Sequence, residues 1–234
     1  MISGLQKMTL LDFPGKVACT VFLKGCNYRC PFCHNSELFL GKPETIMEEE
    51  AFFKFLRSRQ GLLDGVCVSG GEPTLHPNLP DFLGKIKALG FAVKLDTNGS
   101  RPDVLKALME ADLLDHVAMD VKNSPSRYAQ TAGVEKLDLE KIEESLRLLI
   151  CGKVSYELRT TLVSQLHDET SIREMGQWLQ SLVPGKKPAK LYLQSFVDRD
   201  TVVFAGLTPP EAEKVALYKD ILASCVEEAY IRGE

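Results

Sequence analysis

The sequence predicts an α/β fold with a parallel sheet and covering helices. Strand-like and helix-like segments alternate through almost the whole chain, and the strand-like runs are apolar and rich in β-branched residues. No internal repeat, low-complexity tract or long linker interrupts the alternation, so a single domain over 1–234 is expected.

In chain order, strands are expected at 17–23, 65–68, 91–95, 116–121, 156–163 and 190–196. Between them, apolar residues recur at helical spacing in 48–59, 79–89, 103–111, 139–149 and 171–182. Gly90 after the second helix and Pro102 before the third are stop and start signals. A last helix at 210–223 leads into a short strand at 229–232. Pro184-Gly185-Lys186-Lys187-Pro188 reads as an exposed loop. An open doubly wound sheet and a full or partial barrel both fit, and periodicity does not choose between them.

Composition excludes several classes. The chain is 44% hydrophobic and 26% charged, ordinary for a soluble globular protein. A net charge of -4 gives no broad electrostatic reason to bind nucleic acid or an acidic membrane surface. No apolar run approaches the roughly 20 residues that span a bilayer, and residues 1–15 lack the apolar core of an export signal. A cytoplasmic protein with no nucleic-acid or membrane partner is expected. Seven cysteines are an odd number and too sparse for a disulfide scaffold, yet Cys26, Cys30 and Cys33 crowd into eight residues. That cluster asks for a metal.

The unusual polar residues fall at the ends of predicted strands. The segment 25–41 follows the first, and Ser69-Gly70-Gly71-Glu72-Pro73 the second. Asp96-Thr97-Asn98-Gly99 follows the third, Asp120 and Lys122 end the fourth, and Gln194 and Phe196 end the sixth. Strand C-termini are where ligands bind in both barrels and open α/β sheets.

The cysteine segment reads Gly25-Cys26-Asn27-Tyr28-Arg29-Cys30-Pro31-Phe32-Cys33-His34-Asn35, a C-x3-C-x2-C spacing. Three thiolates on a short loop can hold one corner of a cubane cluster and leave one iron open. Three other readings compete. Cys30 to His34 is C-x-x-C-H, the c-type haem attachment pattern, which goes with export. Cys26, Cys30, Cys33 and His34 could form a Cys3His zinc site, although adjacent Cys33 and His34 chelate one ion awkwardly. Ordinary buried cysteines are the third, against a polar, loop-like setting.

C-x3-C-x-aromatic-C, with Phe32 as the aromatic, resembles the signature of the radical S-adenosylmethionine (SAM) superfamily, and Gly70-Gly71-Glu72-Pro73 resembles its GGEP motif in order and spacing. The resemblance implies a 4Fe-4S cluster on Cys26, Cys30 and Cys33, with the open iron chelated by the amino and carboxylate groups of SAM. Reductive cleavage would then give methionine and a 5′-deoxyadenosyl radical that abstracts hydrogen from the substrate. Gly70 and Gly71 allow close backbone approach, and their carbonyls with Glu72 would receive SAM's ammonium; alone, Gly-Gly-Glu-Pro is also an ordinary turn after a strand. Phe32 would place its backbone near the adenine, or pack the loop.

Leu95-Asp96-Thr97-Asn98-Gly99 and Met119-Asp120-Val121-Lys122 resemble the DTNG and D-x-K segments of glycyl-radical-enzyme activating enzymes, as does Thr9-Leu10-Leu11-Asp12-Phe13-Pro14-Gly15-Lys16. This likeness runs from about Leu5 to Lys122 and favours a partial (β/α)6 barrel. It places Asp96 and Asp120, with Thr97 and Lys122 beside them, near SAM's carboxylate, where a monovalent cation held between the two aspartates, a proton or Lys122 would offset the repulsion. The alternatives are Asp96 as a cap and Lys122 as a solvated charge. Arg159 is a further candidate for a SAM carboxylate or ribose contact, against snorkelling or pairing with a helix carboxylate. Gln194 and Phe196 would approach the adenine or substrate, Phe196 being equally readable as core. Cys19 and Cys67 read as small core residues, and His76, His116 and His167 as structural.

No cysteine-rich insertion separates Cys33 from Gly70, unlike some activating enzymes. The implied partner is a glycyl radical enzyme, with anaerobic ribonucleotide reductase favoured, and a flavodoxin- or ferredoxin-like protein would donate the electron. Activation of pyruvate formate-lyase, a small-molecule radical SAM reaction and a zinc-binding module without turnover are the competing readings.

Overall fold

The computed structural model describes residues 1–40 and 45–233; Gly41, the end of the segment singled out after the first strand, lies outside them. The chain forms two compact units, each assembled from several stretches. One comprises Met1–Asn27, Asn35–Thr97 and Asp103–Ala118, the other Tyr28–His34, Asn98–Pro102 and Met119–Glu234.

In the first unit, β1 (Ile2–Thr9) runs antiparallel to β2 (Ala18–Leu23). Parallel to β2 comes β3 (Gly65–Gly70), and parallel to that β4 (Ala92–Thr97). The start of β5 (His116–Asp120) follows in the strand order. Val66, Cys67, Val68, Val93 and Leu95 are fully buried, as expected of strands covered on both faces. Cys19 and Cys67 are core residues, and burial pushes the Cys19 thiol up to about 12. The covering helices are α1 (Glu49–Arg57), α2 (Leu79–Ala88) and α3 (Pro102–Glu110), the last from Asp103 onward. Glu49 and Glu50 open α1 and Lys54 and Arg57 close it, matching charge to the helix dipole. Phe52 and Phe53 of α1 meet Phe82 of α2, each with ring centroids 5.5 Å from it.

Phe13, in the loop between β1 and β2, lies where β3 and β5 begin. A Cβ on Gly65 would come within 2.8 Å of its ring, and His116 lies 6.2 Å away between centroids. Phe13 thus plugs the N-terminal ends of these strands, and Asp12 beside it accepts a hydrogen bond from the Thr20 hydroxyl at 2.6 Å.

In the second unit, the end of β5 is followed by β6 (Ser155–Leu162), β7 (Lys190–Ser195) and β8 (Glu228–Arg232), with β6, β7 and β8 parallel. The helices are α4 (Tyr128–Ala132), α5 (Leu139–Cys151), α6 (Glu169–Ser181) and α7 (Ala212–Ala223). A reciprocal capping box between Asp168 and Ser171 starts α6 two residues earlier than its apolar pattern suggests. On β6 to β8, buried Glu157 holds Arg232 through two 3.0 Å contacts, and the Arg232 guanidinium lies 3.9 Å over the Tyr192 ring.

Every strand and helix expected from the sequence is present, with ends shifted by a residue or two. Among the described residues, one strand and one α-helix were not expected: β1, which exposes Gln6, Lys7 and Met8, and α4, which is too short to show a period.

Candidate active site

The first unit carries Cys26 beside the Gly70-Gly71-Glu72 turn. The Gly71 N–H donates to the Leu23 carbonyl at 2.9 Å and the Glu72 N–H to the Gly25 carbonyl at 2.8 Å. A Cβ on Gly71 would lie 2.0 Å from the Gly25 oxygen and 3.1 Å from the Cys26 Cβ, and one on Gly70 would lie 2.2 Å from the Leu23 oxygen. The two glycines therefore let β3 run hard against the chain that enters the cysteine loop. The Asn35 amide donates to the Gly70 carbonyl at 3.3 Å, tying the far end of that loop to the same turn.

Glu72 is fully buried and has an internal task. One of its carboxylate oxygens accepts from the Thr74 N–H at 3.2 Å, the Thr97 hydroxyl at 2.7 Å and the Thr74 hydroxyl. It braces the turn after β3 against the end of β4. Next to it, Asp96 accepts from the Ser69 hydroxyl at 3.0 Å on one oxygen and from the Lys94 ammonium on the other. Asp96 is thus an ion-paired carboxylate. Lys94 was not singled out from the sequence; its signal is a lone lysine in an apolar strand, two residues before an aspartate and so on the same face.

The second unit carries Cys30, Phe32 and Cys33. The Arg29 N–H donates to the Ala132 carbonyl at 2.9 Å, and the Cys30 Sγ approaches that oxygen at 3.7 Å. Gly133 caps α4 in the left-handed region (φ 67°), and a Cβ there would lie 2.0 Å from the Arg29 oxygen. Phe32 is buried with Val163, Leu166 and Phe196, so Phe32 packs the loop and Phe196 is core. His34 stacks on Phe196 and its Nε2 meets the Val197 carbonyl at 2.6 Å.

Asp120 sits between two cations: Lys122 Nζ lies 2.9 Å from one oxygen and Arg159 Nε 3.0 Å from the other. Lys122 is mostly buried, not solvated, with its ammonium 6.0 Å from the Phe32 ring centroid. Burial pulls its ammonium down, but Asp120 and then Cys30 outweigh this, so the net shift is upward. Burial pushes the Cys30 thiol up while Lys122 draws it back. Arg159 pairs with this strand carboxylate. Gln194 lies on β7 opposite Thr161 on one side and Arg232 on the other.

The donor set fits an iron–sulfur cluster. Cys26, Cys30 and Cys33 are partly exposed and in no disulfide, and a loop of backbone contacts holds their segment. Among the described residues, no three His, Cys, Asp or Glu side chains gather as a single metal ion requires. A four-iron cluster takes each thiolate on a different iron, so its ligands need not converge on one point.

Comparison with known proteins agrees with these motifs. Residues 20–162 match the radical SAM superfamily. A protein of Methanocaldococcus jannaschii described as a glycyl-radical enzyme activating enzyme is 31% identical over 99% of this chain and 95% of its own. A GTP 3′,8-cyclase of Thermococcus kodakarensis is 35% identical, over 65% of this chain and 56% of its own. The pyruvate formate-lyase 2-activating enzyme of Escherichia coli is 28% identical over 78% and 73%. Among solved structures, a domain of a pyruvate-formate lyase-activating enzyme from Bacteroides vulgatus superimposes with a TM-score of 0.57 at 25% identity, over 72% of this chain and 99% of that one. The chain is therefore an enzyme of the radical SAM superfamily, with the superfamily's partial (β/α)6 barrel fold. Within it, the chain belongs to the glycyl-radical-enzyme activating enzymes.

Proposed function

We propose that this enzyme generates the glycyl radical of an anaerobic ribonucleotide reductase, drawing its electron from a flavodoxin- or ferredoxin-like protein in the cytoplasm. The observation that carries the activating reading is the end-to-end likeness to an activating enzyme over 95% of that relative's length. The choice of reductase rests on the opening segment Thr9 to Lys16, on Cys33-His34-Asn35 and on the uninterrupted stretch from Cys33 to Gly70. The superfamily match extends over parts of both units, which supports their working as one domain across 1–234.

In this reading Cys26, Cys30 and Cys33 hold the cluster, which with SAM supplies a carbon-centred radical able to take a hydrogen atom. Gly70 and Gly71, braced by Glu72, lie towards SAM's ammonium. Asp96, Thr97, Asp120, Lys122 and Arg159 orient its carboxylate and ribose, and Phe32 and Gln194 border its adenine. Water must be kept from the radical, and the buried Phe32–Val163–Leu166–Phe196 cluster seals the loop side for that purpose.

The test is an anaerobic electron paramagnetic resonance spectrum of reconstituted enzyme, SAM, reductant and the host's anaerobic ribonucleotide reductase. A glycyl-type doublet that disappears with Cys30→Ala is expected. A reduced-cluster signal without the doublet transfers the activity to pyruvate formate-lyase or to a small molecule. The GTP cyclase likeness favours the small molecule, though it spans just over half of that relative.

A further inference from the structure

We infer that Lys94 is a positioning residue whose fixed ammonium supplies the positive charge Asp96 needs, so that this enzyme binds SAM without a free monovalent cation. The inference rests on the reading that Asp96 faces SAM. It replaces the cation that the resemblance implied with a side chain of the protein itself.

The Lys94 side chain is 1% exposed. Lysine is almost never buried to that degree unless paired, and the partner here is Asp96, two residues along the same face of β4. The neighbouring position on β3 is Cys67, whose Sγ lies 3.8 Å from the ammonium and offers it little. Ser69 holds the other oxygen of Asp96 at 3.0 Å. Both oxygens of the carboxylate are thereby fixed in direction, and its charge is met by a cation that cannot diffuse away.

Burying such a pair costs desolvation energy that an apolar pair of similar size would not. Stability alone is a poor reason for placing it at the end of a strand in the candidate site. What the pair offers is an ionised carboxylate with no net charge around it. A second carboxylate, such as that of SAM's methionine part, can then approach without the repulsion an uncompensated aspartate would exert. The second unit repeats the device, with Lys122 and Arg159 on the two oxygens of Asp120. Each of the two aspartates expected to share a free cation thus carries its own counter-charge.

The experiment compares wild type with Lys94→Met in potassium chloride and in choline chloride at equal ionic strength. Two readouts are taken: SAM cleavage to 5′-deoxyadenosine by reconstituted enzyme and dithionite without any partner, and the unfolding midpoint of iron-free protein. Wild type is expected to give the same cleavage rate in both salts within about twofold, and an unchanged midpoint. Lys94→Met is expected to cleave about tenfold more slowly in choline, recover in potassium, and gain a potassium-dependent midpoint. A wild-type rate that falls tenfold in choline overturns the inference, as does a Lys94→Met enzyme fully active in choline. Should Lys94→Met fail to fold, the wild-type comparison decides alone. Leaving the partner out separates this test from the choice of reductase. If wild type makes no 5′-deoxyadenosine in either salt, the radical SAM reading itself fails, and the midpoints still report on Lys94.

Discussion

At Gly133 the backbone enters the left-handed region directly beneath the Arg29 carbonyl. A side chain there meets both a conformational penalty and a clash of backbone against Cβ. Gly133→Ala is expected to cost about 2 kcal/mol or more in a denaturant titration. It should also reduce the iron bound on reconstitution, because the loop it displaces carries Cys30. The sequence showed the three cysteines and the two glycines of the turn plainly, since each belongs to a short motif. It did not show Gly133, whose neighbour Arg29 lies far off along the chain, or Lys94, which stands in an otherwise apolar run. Asp96 and Asp120 were legible as acids at strand ends; Lys94 and Lys122 pair with them at a spacing of two along the chain, whereas the pairing of Asp120 with Arg159 depends on which strands lie side by side.

Between β6 and α6, His167 ties two elements together. Its Nδ1 lies 3.1 Å from the Val163 N and 3.3 Å from the Val163 carbonyl, and its Nε2 lies 3.0 Å from the Lys122 carbonyl; the neutral ring with its proton on Nε2 accepts from the Val163 N–H and donates to Lys122. Burial pulls its pKa down. The unfolded chain therefore takes up a proton, below about pH 6.5, that the folded ring refuses. Stability contributed by His167 is complete above that pH and is lost as pH falls towards the folded value. Chemical-denaturation midpoints should drop from pH 7 to pH 5, with a shallower drop in His167→Gln. His76, pulled down by the same cause, retains part of the slope. Element boundaries were legible from apolar runs because parallel strands need apolar residues on both faces. β1 escaped notice because Gln6, Lys7 and Met8 are exposed, and an edge strand need be apolar only where it is covered.

For the molecule as a whole, the two ends of the strands have different tasks. In the first unit the candidate residues Gly70, Gly71, Glu72, Asp96 and Thr97 lie where β3 and β4 finish, while Phe13 closes the ends where β3 and β5 start. Phe13→Ala should lower stability by roughly 3 kcal/mol yet leave SAM cleavage per folded molecule within about twofold of wild type. A larger loss of turnover than of stability would show that the Leu-Asp-Phe-Pro-Gly segment takes part in the chemistry. The fold class was legible because it depends on alternation along the chain. The choice of a barrel was not, and came from resemblance.

The cysteine loop is held by the protein's own backbone. Arg29 is bonded to Ala132, Gly25 to Leu38 and to Glu72, and Cys33 to Cys30. Small domains whose shape depends on their metal collapse without it; here the loop's course is set by main-chain bonds that iron does not make. Protein freed of iron is therefore expected to keep the course of this loop, ready to be loaded again.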